Sequence, residues 1–326
     1  MSMKDVMLKT PVQEIRLPDT AHRIFIKRDD LIGFSFGGNK VRIAWEFYQD
    51  MIEKGCDCLV AYGSSRSNMC RALANLCSRY EIPCYVLTPR EDVVEEGTFN
   101  SRMVEGFGAH IRFCHKNNVA EGVDKLMAEL KSKGYRPYYV FGDSYGMGNE
   151  KAASRAYCEA YRELLEYEEE HELVFDRIFL ASGTGMTQGG LIAGQKQYGG
   201  HADVTGISVA RPAVRGKSEV ARFGGVDPEV VHFEDEYVCG GYGLYDRDIE
   251  SVIRMMMERF GIPLDPTYTG KAFSGMLKYL KTKSHEPENI LFIHTGGAPL
   301  YFDYLNAAWV REQAGKQTGN TRFTGL

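Results

Sequence analysis

The chain has 326 residues, of which 44% are hydrophobic and 25% are charged, and its formal net charge at neutral pH is −5. This balance is typical of a globular protein with room for one large or two ordinary domains. Acidic residues outnumber the scattered basic ones, and no apolar run approaches the roughly 20 residues of a membrane span, so neither nucleic acid nor a membrane is an expected partner.

Short β-rich runs alternate with longer stretches of helical periodicity. The predicted strands are residues 24–27, 58–62, 84–88, 110–113, 138–141, 177–181, 204–209 and 290–294. The predicted helices are residues 40–54, 68–80, 98–106, 119–133, 149–171, 187–198, 246–260 and 270–283. This alternation predicts an α/β fold with largely parallel sheets and helices on both faces.

The spacing of the cysteines and histidines bears on where the protein is located and on whether it binds a metal. Eight cysteines are dispersed through apolar segments and form no CxxC pair. In a chain of this length that pattern predicts reduced thiols in a cytoplasmic protein. The N-terminal segment has neither the apolar core nor the cleavage site of a secretory signal. The histidines lack a close pair with ligand spacing, so we expect no metal site.

The segment SFGGNKVRIAWEF places two glycines and an asparagine directly before a lysine that opens a predicted helix. Gly37 and Gly38 let the backbone turn tightly and approach a ligand closely. Lys40 then projects from a helix start, where free N–H groups and the dipole should lower its pKa. A lowered pKa suits Schiff-base chemistry, although a surface lysine after a turn has the same local pattern.

A second glycine-rich turn, SGTGMTQGGL, follows the strand RIFLA and leads into a helix. Its backbone N–H groups and the hydroxyls of Ser182, Thr184 and Thr187 predict a phosphate site at a helix N-terminus. A purely structural turn is the alternative. A nicotinamide site is a further alternative, because Asp203 lies near the distance at which a dinucleotide needs an acid. That alternative leaves the lysine of GGNK unexplained.

Three more loops carry polar side chains. Ser67 and Asn68, in GSSRSNMCRA, stand where helix caps are favoured, and capping alone could explain them. HTGGAPL follows the strand ILFI, and DPTYTGKAF exposes Tyr268 and Thr269 before a helix. Three of the five loops follow a predicted strand, and such loops converge on a ligand crevice in an open α/β sheet. A lysine, a phosphate cradle and hydroxyls in one crevice fit a phosphorylated aldehyde cofactor.

The motifs also carry a family resemblance. IKRDDLIGFSFGGNK, SSRSN, SGTGMTQGGL, GGYG, LDPTYTGKA and HTGGAPL occur in the order seen in the D-cysteine desulfhydrase and 1-aminocyclopropane-1-carboxylate deaminase family. That family belongs to the tryptophan-synthase-β-like, fold-type-II pyridoxal-phosphate enzymes. The resemblance implies two open α/β domains with largely parallel sheets. The large cofactor-binding domain would comprise residues 1–42 plus 151–326, and the small domain residues 43–150. It also implies a homodimer.

The resemblance implies a role for each motif residue. Lys40 would hold pyridoxal 5′-phosphate covalently and carry protons at the substrate Cα, with Ser67 at the substrate carboxylate. Tyr268 would stack near the pyridine ring, and Tyr242, in GGYG, would be a second active-site tyrosine. The remaining cofactor contacts would be Asn68 at the 3′-oxygen, Thr295 at the pyridine nitrogen, and Thr184, Gly185, Met186 and Thr187 at the phosphate.

Three positions bear on the substrate. Arg66 stands where the family usually has Gln, and Met69 where it usually has His or Gln. Because Arg66 is a planar cation suited to carboxylates, we hypothesise a substrate with a more acidic or bulkier side chain than D-cysteine. In the competing interpretation, Arg66 points to solvent and Met69 packs into the small domain. Thr269 stands where the deaminases have a glutamate at the pyridine nitrogen, and a hydroxyl there favours elimination or replacement over ring opening.

The sequence therefore predicts a cytoplasmic pyridoxal-phosphate lyase that acts on a small amino acid. The expected reaction is β-elimination of a Cβ leaving group, with release of ammonia and a 2-oxo acid, as in a D-cysteine desulfhydrase. A β-replacement synthase is the alternative within the same cofactor class, followed by 1-aminocyclopropane-1-carboxylate deamination. A binding protein that keeps the fold without turnover is the alternative from another class.

Overall fold

The computed structural model describes residues 9–18, 20–92, 97–284 and 286–317. Over these residues the strands are β1 Val12–Ile15, β2 Arg23–Lys27, β3 Cys58–Tyr62, β4 Cys84–Pro89, β5 His110–Cys114, β6 Pro137–Tyr139, β7 Arg177–Ser182, β8 Asp203–Ser208, β9 His232–Glu234 and β10 Asn289–Ile293. The α-helices are α1 Asn39–Glu53, α2 Asn68–Arg79, α3 Phe99–Gly106, α4 Val119–Ser132, α5 Glu150–Glu170, α6 Met186–Tyr198, α7 Ala213–Gly224, α8 Arg247–Phe260, α9 Thr269–Lys283 and α10 Ala298–Gln317. No helix in these ranges combines the length and the apolar character that a membrane span needs.

The larger sheet, within the described residues, has the strand order β1-β2-β10-β7-β8-β9. Its β1–β2 pair is antiparallel, and the other four pairs are parallel. Apolar residues of β2 face both sides: Phe25 packs in a cluster with α1 and α5, whereas Ile24 and Ile26 pack with α8 and α9. A parallel sheet covered on both faces needs such continuously apolar strands.

The smaller sheet, over the same ranges, has the strand order β5-β4-β3-β6, and all of its pairs are parallel. Helix α4 covers one face, where Leu126 and Leu130 pack with Tyr85 and Tyr139. Apolar residues on the other face pack in one cluster with α1, α2 and α5. Because that cluster also contains residues of the larger sheet, such as Phe25, the two sheets share one core.

Every predicted strand and helix is present, and most bounds agree within a few residues. Over the described residues, two strands and two α-helices were not predicted from the sequence: β1, β9, α7 and α10. Strands β1 and β9 are short edge strands, which carry too few residues for a clear alternation of apolar and polar positions. Helix α7 contains Gly216, which lowers helix propensity but is required because a Cβ there would lie 2.2 Å from the Phe233 ring.

The two sheets divide the chain near the predicted domain limits. Strands β3 to β6 lie within residues 43–150, and the larger sheet uses residues on either side of that segment. The limit between residues 42 and 43 falls inside α1, so this helix belongs in part to both predicted domains. The domain limits stay a prediction.

A buried ion network connects β2, α1 and α5. The Arg42 guanidinium lies 2.6 Å from one Glu163 oxygen and 3.2 Å from Asp29 Oδ1. Lys27 donates to Glu163 at 2.7 Å, and the Tyr157 hydroxyl donates to Asp29. Burial by itself raises the pKa of Asp29, but Arg42 and Lys27 outweigh burial and the pKa is lowered. The carboxylate is therefore charged in the folded protein and depends on these partners.

We expect Arg42→Met to lower the free energy of unfolding by about 3–5 kcal/mol, because it leaves buried carboxylates without their main counter-charge. Urea unfolding at neutral pH measures the change. Arg162→Met is the matched control on α5, where Arg162 makes exposed pairs with Glu159 and Glu166. Exposed pairs contribute about 0–1 kcal/mol, so equal losses in the two variants would contradict the network's role.

Candidate functional site

A cavity of about 320 Å³ lies where the two sheets meet. Its walls are the loops after β3, β7, β8 and β10, the first turns of α1, α2 and α6, and the side chains of Phe141, Tyr242 and Tyr268. All five loops singled out in the sequence contribute, so the prediction that they converge is confirmed. Among the described residues that line it, Lys40 and Arg211 carry charge and none is acidic. The cavity therefore favours anions.

The GGNK turn rests against the loop after β10. Gly37 and Gly38 have φ values of 67° and 97°. A Cβ on Gly37 would lie 2.1 Å from the Asp30 carbonyl oxygen, and one on Gly38 would lie 2.8 Å from the Thr295 carbonyl oxygen. The same Thr295 oxygen accepts the backbone N–H of Asn39 at 3.1 Å. Both glycines are thus required for the close approach that places the start of α1 at the cavity.

Lys40 lines the cavity as the second residue of α1. No carboxylate among the described residues pairs with it, and burial lowers the pKa of its amine to about 8. The direction agrees with the expectation from the sequence, and the cause is burial of the amine. The neutral amine, which a nucleophile or a general base requires, is therefore more populated for Lys40 than for an exposed lysine.

The turn between β7 and α6 presents hydrogen-bond donors to the cavity. Thr184, Gly185, Met186 and Thr187 all line it. The Asn39 amide donates to Thr187 Oγ1 at 2.8 Å, which leaves the threonine O–H to donate elsewhere. The hydroxyl oxygen of Ser182 is buried and has no partner in the described part of the chain. A helix start with free hydroxyls suits a phosphate group.

The start of α2 is both a helix cap and a wall of the cavity. Ser67 Oγ accepts the backbone N–H of Cys70 at 3.1 Å, so the capping interpretation is confirmed. Asn68 Oδ1 accepts from the Asn100 amide at 2.9 Å. Both residues also line the cavity. Neither of these two bonds uses the Ser67 hydroxyl proton or the Asn68 amide protons.

Two tyrosines, Tyr242 and Tyr268, also line the cavity. The hydroxyl groups of Tyr242 and Tyr268 are 2.8 Å apart. Desolvation raises the pKa of both phenols, although 44% of the Tyr242 residue is exposed. The Tyr268 backbone N–H donates to Asp265 at 2.8 Å, which fixes the turn that carries the ring. Both phenols are therefore neutral at physiological pH and form a chain of two proton donors.

Thr269 does not line the cavity. Its hydroxyl donates to Asp265 Oδ2 and accepts the Asp265 backbone N–H, each at 2.9 Å, and the residue is fully buried. The expectation that Thr269 is exposed before the helix is wrong, because the turn buries it and uses its hydroxyl to hold Asp265. Thr295 does line the cavity, and its contact with a ring nitrogen stays a prediction.

Arg66 and Met69 lie in different surroundings. Arg66 is exposed and is not among the lining residues; its Nη1 lies 3.8 Å from where a Cβ on Gly243 would stand, at the rim near Tyr242. Met69 is buried, packs in the shared core and also lines the cavity. The exposure of Arg66 agrees with the interpretation in which it points to solvent. Met69 both packs in the core and lines the cavity, as the two interpretations respectively expected.

Lys271, within the DPTYTGK motif, holds the loop that carries Tyr242. Its buried ammonium group donates to the carbonyl oxygens of Val209, Val238 and Gly241 at 3.2, 2.8 and 2.6 Å. Burial lowers the pKa of Lys271. No sequence pattern indicates this role, because a lysine in an amphipathic helix is usually solvated.

The comparisons with known proteins agree with this geometry. The model of the family described as pyridoxal-phosphate dependent enzymes matches residues 4–296, and the chain belongs to that family. Among curated relatives, the D-cysteine desulfhydrase of Klebsiella pneumoniae (strain 342) is 30% identical over 314 residues, which cover 90% of this chain and 93% of the relative.

Solved structures give the same assignment. A chain described as an ACC deaminase homologue has a TM-score of 0.79 at 29% identity and covers 93% of both chains. An O-ureido-L-serine synthase has a TM-score of 0.69 at 15% identity, covering 95% of this chain and 98% of its own, and shows the fold alone. The predicted fold class, a fold-type-II enzyme with largely parallel sheets, and the predicted cofactor are confirmed.

The residues present fit pyridoxal phosphate. The cofactor needs an amine that can lose its proton, a phosphate cradle and hydrogen-bond donors around the ring. Lys40 supplies the amine, and the unpartnered Ser182 hydroxyl lies at the start of the glycine-rich turn. The absence of acids among the described lining residues removes the main source of repulsion for a phosphate dianion.

The pKa of Lys40 yields a pH prediction. In the cofactor-free chain, the rate of covalent capture of pyridoxal phosphate should rise with pH and reach half of its maximum near pH 8, because only the neutral amine reacts. Absorbance after rapid mixing measures the rate. Borohydride-fixed label should be absent from Lys40→Ala, and a midpoint near 10.5 would mean that Lys40 is not desolvated.

The Lys271 contacts predict a local effect. Lys271→Met should increase amide hydrogen exchange of residues 238–242 at least about tenfold, because two carbonyl groups of this segment, those of Val238 and Gly241, lose a charged donor. Mass spectrometry of the exchanged protein measures this. Lys278→Met is the control on the same helix, where the lysine makes an exposed pair with Asp248. If exchange of the loop is unchanged in Lys271→Met, the lysine does not hold it.

Proposed function

We propose that this chain catalyses β-elimination from D-cysteine, releasing hydrogen sulfide, ammonia and pyruvate with the uptake of one water. The observation that carries the proposal is the Lys40 amine, which has a pKa of about 8 and no acidic partner in the described part of a cavity that favours anions. The D-cysteine desulfhydrase name of the bacterial relatives supports the choice of substrate.

The motif residues divide between cofactor and substrate. Bound pyridoxal phosphate withdraws electrons from the substrate Cα and so acidifies its C–H bond. We assign the phosphate to the turn of Thr184, Gly185, Met186 and Thr187, the 3′-oxygen to the Asn68 amide, and the pyridine nitrogen to Thr295. A hydroxyl at that nitrogen does not give it a full proton, which suits a reaction whose leaving group departs quickly.

Residues of this chain can carry the proton at Cα and the proton for the departing sulfur. Lys40 Nζ takes the proton from Cα. The Ser67 hydroxyl donates to the substrate carboxylate, since its oxygen already accepts the Cys70 N–H. Tyr268 and Tyr242 stay protonated because desolvation raises the pKa of both phenols. Their hydrogen-bonded pair therefore donates a proton to the departing sulfur at the open side of the cavity.

We propose a homodimer, which follows from the family resemblance, and a cytoplasmic location. All eight cysteines are free thiols, which supports a reducing compartment.

D-cysteine should yield sulfide, pyruvate and ammonia in equal amounts from the purified yellow protein. L-cysteine, 1-aminocyclopropane-1-carboxylate and acidic or O-substituted amino acids serve as the comparison panel, with sulfide, 2-oxo acid and ammonia measured separately. Lys40→Ala should be inactive. If another amino acid is clearly better, or if product forms only when a second nucleophile is added, the proposal is wrong.

The same assay decides between the two interpretations of Arg66. With Arg66 at the rim, Arg66→Gln should change kcat/KM for D-cysteine by less than about threefold, because exposed charges contribute little. Ser67→Ala should lower it at least about tenfold through loss of a charged hydrogen bond. A larger loss in Arg66→Gln, confined to acidic substrates, would instead restore the hypothesis of an acidic substrate.

A further inference from the structure

Arg211 is a cavity residue to which neither the motifs nor the proposed mechanism assigns a task. It lines the cavity and stands three residues after Ser208, the last residue of β8. Ser208 pairs with Ser182 at the end of the neighbouring strand β7. Ser208 Oγ accepts the Arg211 backbone N–H at 3.0 Å and donates to the Arg211 carbonyl oxygen at 2.7 Å. This local turn fixes the backbone from which the guanidinium group reaches the cavity wall.

The guanidinium group lacks part of its expected bonding. Its Nη1 is buried without a hydrogen-bond partner in the ranges that the structure describes. The Glu219 carboxylate is 3.8 Å from Nη1, beyond hydrogen-bond length, and Arg222 binds the same carboxylate at 2.8 Å. Arg222 also lies 2.7 Å from Glu150. An arginine with a buried and unpartnered N–H group in a cavity is a site for an anion.

The position of Arg211 favours the phosphate end of the cavity. A Cβ on Gly185 would lie 3.0 and 3.2 Å from the carbonyl carbon and oxygen of Glu219, so the backbone of Glu219 packs on the turn that begins α6. Arg211 faces the side chain of that glutamate. The residues assigned to the substrate, Ser67 and Tyr242, belong to the loops after β3 and before α8.

We propose that Arg211 binds the phosphate group of the cofactor and provides the positive charge that the backbone turn lacks. A helix start contributes partial charges, whereas a phosphate dianion carries close to two negative charges. Arginine matches phosphate through parallel N–H donors. The inference goes beyond the proposed reaction, because it holds for any amino-acid substrate.

The proposal is tested by comparing the affinity for pyridoxal phosphate with that for pyridoxal, which lacks the phosphate. The comparison distinguishes a contact with the phosphate from a role in the fold or in substrate binding. Titrations of the cofactor-free full chain, followed by absorbance, give both dissociation constants. Arg211→Met should weaken pyridoxal phosphate binding at least about tenfold and leave pyridoxal binding unchanged. Arg211→Lys should retain more of the affinity than Arg211→Met. Thr187→Val, which removes a phosphate donor, should show the same selectivity, and Arg215→Met, an exposed arginine of α7, should behave as wild type.

Each other outcome overturns the proposal. Equal weakening of both ligands in Arg211→Met means that the substitution disturbs the fold and not a phosphate contact. Unchanged pyridoxal phosphate affinity means that the guanidinium does not reach the phosphate. If that affinity is unchanged and only amino acids with acidic side chains bind the holoenzyme more weakly, Arg211 belongs to the substrate. Failure of D-cysteine turnover in wild type would leave these titrations unaffected, so the two proposals fail separately.

Discussion

The buried carboxylate of Asp29 holds together the parts of the chain that place Lys40. It accepts hydrogen bonds from Thr10 and Tyr157 and pairs with Arg42, while its backbone carbonyl accepts the N–H of Gly38. A charge removed from water must keep its partners, because leaving one unpaired is strongly destabilising. The N-terminal segment, α1 and α5 are therefore fixed relative to the GGNK turn. The position of the Lys40 amine follows from that constraint.

Burial without acidic neighbours then determines the chemistry of the cavity. Desolvation lowers the pKa of Lys40 and raises the pKa of Tyr242 and Tyr268. The same physical cause thus makes a lysine available as a base and keeps two phenols available as acids. A nearby carboxylate would reverse the first effect by stabilising the ammonium form. The described lining residues include none, which also suits a phosphate and an amino-acid carboxylate.

Some residues of the loops line the cavity, and others hold those residues in place. Lys271 donates to three carbonyl oxygens, two of them in the loop that carries Tyr242. Asp265 accepts the backbone N–H of Tyr268 and so fixes the turn that carries this ring. Ser67 caps α2 through its oxygen, and this bond does not use its hydroxyl proton. In each case a polar group that faces the cavity is held by hydrogen bonds on its other side. Such support reduces the loss of freedom when a ligand binds.

The sequence by itself determined the alternation of strands and helices, the glycine turns and the lysine at a helix start, because these depend on local backbone preference and periodicity. It also determined that Ser67 caps a helix, since a cap is a contact within three residues. Only the tertiary structure decided that burial lowers the Lys40 pKa, that Thr269 serves Asp265 and that Arg66 stays outside the cavity. The tertiary structure likewise decided that Arg211 lines the cavity and that Lys271 binds three backbone carbonyl groups, because these contacts join distant segments of the chain. Burial and charge balance depend on contacts between residues far apart in the chain, and no local pattern specifies them.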